Sequence, residues 1–68
     1  MRDITNSEIS NLIDEWIHSE RNRQILKRRL IDGIRLEPLA EEFDMSVRQI
    51  KNIVREGSTK VFSHISHI

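Results

Sequence analysis

Apolar residues near the start of the chain recur at steps of three and four: Ile9, Leu12, Ile13, Trp16 and Ile17. At about 100° per residue these positions share one stripe of a helix. Thr5 precedes Glu8 by the spacing of a capping box, which places the helix start there. Ser19 can cap a second helix, with Glu20 in its positive first turn, so the pattern predicts a break near His18. The second helix is expected from Glu20 to Asp32, with Ile25, Leu26 and Leu30 inward and Arg21, Arg23, Lys27, Arg28 and Arg29 largely outward. Gly33 suits the left-handed residue that closes such a helix. Pro38 fits the first turn of a short third helix ending at Phe43. Ser46 is an N-cap for a last helix through about Glu56, with Gly57 as its stop. Val61, Phe62, Ile65 and Ile68 keep helical spacing, so residues 59–68 are expected either as a short amphipathic helix or as a tail ordered only by a partner. No strand alternation or internal repeat interrupts this pattern. The expected fold is therefore all-α, one domain over residues 1–68: a small bundle of four helices, with or without a short C-terminal fifth.

The stretch 36–56 carries the functional signal. Two short helices joined by a tight turn can cross steeply only with a small residue where their backbones meet and apolar residues in the wedge. Ala40 is that small residue, and Leu39, Phe43, Met45, Val47, Ile50 and Ile53 are spaced to fill the wedge. The pattern is that of a helix-turn-helix. With Ile50 set at the inner face, a step of about 100° per residue turns Arg48 and Asn52 nearly opposite to it. Arginine can bond guanine, and asparagine or glutamine can bond adenine, in the major groove, so Arg48, Gln49 and Asn52 are chemically fit to read bases. Lys51 and Arg55 flank them and suit phosphates. The run Lys27-Arg28-Arg29 spans too wide an arc for one groove and is expected to be largely solvated, with one or two cations, or Arg35, near a DNA backbone.

Ile25-Leu26 followed by Arg29, then Asp32-Gly33, Leu39-Ala-Glu-Glu-Phe43 and Ser46-Val-Arg-Gln-Ile-Lys51 give the stretch from about Arg21 to Lys60 a family likeness. It resembles region 4 of bacterial sigma factors and the small phage or mobile-element regulators that share that fold. The resemblance implies a recognition helix in the major groove of a promoter element, with Ser46, Arg48, Gln49, Lys51, Asn52 and Arg55 as DNA-binding residues. Asp44 departs from the pattern, standing in the turn where Gly is usual. The 68 residues also leave no room for the other sigma regions, so a regulator built on the DNA-reading module is expected rather than a complete sigma factor.

Formal net charge is zero, but the charges are segregated. Residues 1–20 hold Arg2 against five acids, net −4, and the remainder holds ten cations against six acids, net +4. Such a molecule can turn a basic face to phosphates and an acidic end to a protein. The chain has no Cys and no long apolar run, which predicts a soluble, cytoplasmic protein without disulfides or membrane contact. His64 and His67 have a metal-compatible spacing but no Cys or carboxylate beside them, and no catalytic constellation is visible. No cofactor, metal, small-molecule substrate or enzymatic activity is expected.

Each bidentate base contact discriminates by about 1–3 kcal/mol, whereas specific sites typically exceed non-specific DNA by about 4–10 kcal/mol. Double-stranded DNA is thus the expected partner of a homodimer on paired half-sites, or of a chain held there by a transcription-machinery protein. The stripe of the first helix with Trp16, and the tail with Phe62, are the expected interfaces. The competing expectation is a protein-interaction adaptor or antirepressor that keeps the fold and uses its acidic first helix to contact a polymerase or regulator.

Overall fold

A computed structural model describes residues 5–65 as four α-helices: α1 (Asn6–Trp16), α2 (Glu20–Leu30), α3 (Leu36–Glu42) and α4 (Val47–Phe62). The fold is all-α, and no strand occurs among the described residues. Ile68 and His67 lie outside them.

Local chemistry sets most of the boundaries. Thr5 and Glu8 form the capping box that starts α1: the Thr5 hydroxyl accepts from the Glu8 N–H at 3.1 Å and the Glu8 carboxylate accepts from the Thr5 N–H at 3.2 Å. The predicted break is present, with Ser19 accepting from the Asn22 N–H at 3.3 Å to start α2. Arg23 reaches back across that break and donates to the carbonyls of Ile17 and His18, placing a cation on the otherwise unpaired carbonyl end of α1. Gly33 takes φ +73° after α2, and the Ile34 N–H returns to the Arg28 carbonyl at 3.1 Å. Helix α3 begins two residues ahead of Pro38, which leaves the proline in the first turn, where no N–H is required.

The core has two parts that share α2. Ile9, Ile13 and Ile17 of the first helix and its cap pack with Leu26 and Val61, and Leu12, Leu30 and Ile31 support them. Ile25, one residue before Leu26, instead joins Leu39, Ala40 and Ile50. Successive residues of a helix point about 100° apart, so α2 can serve both parts at once. It packs against α1, α3 and α4, while α1 and α3 do not meet.

Most of the α1 stripe is therefore taken up by the core: Ile9, Ile13 and Ile17 are buried, while Leu12 and Trp16 are half-buried. Phe62 remains 40 % exposed. The end of the chain differs from expectation more sharply. Gly57 does not stop α4, which continues unbroken to Phe62, so the predicted separate C-terminal helix is the second half of α4. Gly57 is buried against Leu26, where a Cβ would force the leucine side chain to shift. Continuing α4 past it carries Val61 into the first core part.

Candidate nucleic-acid interface

Helices α3 and α4 are joined by Phe43-Asp44-Met45-Ser46, and the turn is closed by backbone hydrogen bonds. The Met45 N–H donates to the Ala40 carbonyl at 2.8 Å and the Asp44 N–H to the Glu41 carbonyl at 3.3 Å, the paired pattern of a Schellman closure. That closure requires its left-handed residue at position 44, and Asp44 is the only non-glycine with positive φ among the described residues, at +55°. Asp is among the few side chains that tolerate this conformation.

Below the turn, Leu39, Ala40 and Ile50 are buried with Ile25, and Phe43, Met45, Ile53, Val54, Ile34 and Leu36 are packed around them. The wedge is built as its spacing predicts with one exception. Val47 is not among the buried residues of that cluster and is 39 % exposed.

All six expected site residues are exposed: Ser46 is the N-cap of α4, and Arg48, Gln49, Lys51, Asn52 and Arg55 lie within its first nine residues. They divide into two kinds. Ser46 and Gln49 form the second capping box: the Ser46 hydroxyl accepts from the Gln49 N–H at 3.1 Å and the Gln49 carbonyl oxygen accepts from the Ser46 N–H at 3.0 Å. The Gln49 amide is thus held by its oxygen, leaving its NH₂ to donate outward. The side chains of Arg48, Lys51, Asn52 and Arg55 make no hydrogen bond or ion pair among the described residues.

The cations of α2 are placed differently. Lys27 pairs with Asp14 of α1 at 2.7 Å, Arg28 bridges Glu42 of α3 at 2.9 Å and Asp32 at 3.3 Å, and Arg29 donates to the Ile34 carbonyl at 3.0 Å. The run is thus tied to neighbouring groups while staying partly exposed, with the Lys27 and Arg28 side chains 36 % and 42 % accessible. The hydrogen bond and the charge of Glu42 come first among the causes that raise the Arg28 pKa above its ordinary value; desolvation opposes them and Asp32 assists. A raised cation pKa stabilises the fold at every pH below the ordinary guanidinium value, so this clamp is intact throughout the neutral range.

Helix ends sharpen the contrast. The first turn of a helix is positive and favours carboxylates. Glu8, Glu20 and Glu37 occupy that turn in α1, α2 and α3. Helix α4 has no acid there and carries Arg48 instead. A cation in that turn is locally unfavourable for folding.

No family model, curated protein or solved structure matches this chain. Its chemistry has to be read from its own residues.

Away from this face, a cleft of about 280 Å³ opens between the α1–α2 turn and the second half of α4, lined in part by His18, Asn22, Glu56 and Lys60. No group of three metal-ligating side chains occurs among the described residues. His64 is exposed and stacks on Trp16 with ring centres 3.6 Å apart. Sequence spacing could not indicate that contact, which joins residues 48 positions apart. No helix among the described residues is long and apolar enough to cross a membrane.

Proposed function

We propose that this chain is a sequence-specific DNA-binding transcriptional regulator that lays the first half of α4 in the major groove, as the recognition helix of a helix-turn-helix. The observation that carries the reading is Arg48 in the positive first turn of α4, beside Lys51, Asn52 and Arg55, all exposed and unpartnered while Lys27, Arg28 and Arg29 are each bound to a neighbouring group. A fold keeps such a charge arrangement at a cost, and an anionic ligand offsets it. Arg48 and Asn52 have the donors and acceptors to read guanine and adenine, and Lys51 and Arg55 suit the flanking phosphates. Two or three base-reading residues discriminate too weakly alone, so the reading includes a second copy on paired half-sites or a transcription-machinery protein that holds the chain on DNA.

Selection from a random duplex library, followed by titration of the enriched site at several salt concentrations, tests the reading. The expected result is one enriched site whose binding is lost in Arg48→Ala/Asn52→Ala and whose symmetry reports the number of copies. Arg55→Ala is expected to weaken all sequences alike and to lower the salt slope by about one. Enrichment of nothing, with only weak salt-sensitive binding, would overturn it in favour of a protein-binding adaptor.

A further inference from the structure

Val47 and Phe62 are the two exposed large apolar side chains among the described residues, and they stand at opposite ends of α4. Val47 is the first residue of that helix, with Ser46 and Arg48 beside it and Lys51 one turn on. It is not among the buried residues of the wedge between α3 and α4, and part of its side chain faces outward. A β-branched side chain is also stiff at χ1, so it presents two methyl groups in a fixed direction with little rotamer entropy to lose on contact.

An apolar group set among cations at the leading end of a helix fits a surface that is mostly anionic with an isolated apolar point. The major groove offers one such point, the 5-methyl group of thymine. Resting on the DNA reading of α4, we propose that Val47 contacts a thymine methyl and specifies an A·T pair at one position of the site, next to the base read by Arg48. Charge attraction by Arg48 and Lys51 brings the groove to the helix; Val47 then distinguishes thymine from the other bases by apolar contact.

Deoxyuracil pairs as thymine does but lacks the methyl group, so it removes only this contact. With the full chain and the duplex enriched by selection, each thymine is replaced in turn by deoxyuracil and the dissociation constant measured. Wild type is expected to lose about three- to fivefold at one thymine, the worth of one buried methyl-sized group. Val47→Ala is expected to bind the thymine and uracil duplexes equally, while Arg48→Ala, although weaker throughout, keeps the discrimination. Circular dichroism of Val47→Ala should match wild type, since the side chain lies outside both core parts. Indifference of wild type to uracil at every position, or an unchanged thymine-to-uracil ratio in Val47→Ala, would overturn the assignment while leaving DNA reading intact. A library that enriches no duplex would overturn both.

Discussion

Gly57 lies against Leu26 so closely that a methyl group on its Cα would stand 2.5 Å from one terminal carbon of that leucine and 2.8 Å from the other. Leu26 is fully buried among Ile9, Ile13, Ile17 and Val61. A side chain at position 57 would force Leu26 to shift, so the absence of one lets α2 and α4 approach closely.

Gly57→Ala should therefore reverse the usual helix-propensity result. In an open helix the change gains about 1 kcal/mol, whereas overpacking a filled core costs about 1–3 kcal/mol. The expected outcome is a net loss of about 1 kcal/mol in thermal or denaturant unfolding. In a Leu26→Ala background the clash is gone and the same change should become stabilising. A gain in the wild-type background would show that Leu26 yields, and would remove the close approach as the reason for glycine.

Asp44 offers the opposite case, a side chain where the backbone prefers none. Its φ of +55° closes the turn between α3 and α4. Left-handed backbone costs an ordinary L-residue about 1–2 kcal/mol, less for Asp, and Gly removes that strain while adding freedom to the unfolded chain. Asp44→Gly is expected to raise stability by about 0.5–1 kcal/mol, and Asp44→Asn by less. If Asp44→Gly proves destabilising, some interaction of the carboxylate must outweigh the backbone strain.

These two positions show what local pattern can and cannot convey. Capping by Thr5 with Glu8 and by Ser46 with Gln49 is written within four residues, and the helix starts it predicts are present. Ala40 and Ile50 fall in the wedge because periodicity alone puts them on inner faces. Glycine is ambiguous at the same level: Gly33 ends α2 by its left-handed backbone, while Gly57 sits inside α4 for a reason located 31 residues earlier, at Leu26. The partners of Lys27 and Arg28 on α1 and α3, and of His64 on Trp16, are likewise distant in sequence. Val47 has the periodicity of a core residue yet is 39 % exposed, because spacing gives the face of a residue but not how far the neighbouring helix covers it.

Arg48 should separate folding from function. Replacing it with Glu puts a carboxylate in the positive first turn of α4, as in the other three helices. The exchange is expected to stabilise the fold by about 0.3–1 kcal/mol at low ionic strength, and the gain should shrink with added salt. For a domain of this size that corresponds to a melting temperature higher by up to about 8 °C. Binding to the enriched duplex should fall by at least about fivefold, since one bidentate base contact is worth about 1–3 kcal/mol. A variant that melts lower than wild type would contradict the dipole argument; one that melts higher yet binds equally well would take Arg48 out of the interface.

Trp16 reports on the far end of the molecule because it is the only tryptophan in the chain. Its stack with His64 ties the residues after α4 back to the end of α1, with the rings 5° from parallel. An aromatic pair of this kind adds about 0.5–1.5 kcal/mol beyond the area it covers, and exposure of His64 argues for the lower end. His64→Ala should uncover one face of Trp16, shift its fluorescence to longer wavelength and reduce stability by about 0.5 kcal/mol. His18→Ala, which alters the nearer histidine in sequence, should leave the emission unchanged. Equal shifts in both variants would mean that Trp16 senses general loosening rather than this contact. A shift confined to His64→Ala would establish that the residues after α4 are held by α1, on the side of the bundle that carries the first core part rather than the proposed DNA-reading face.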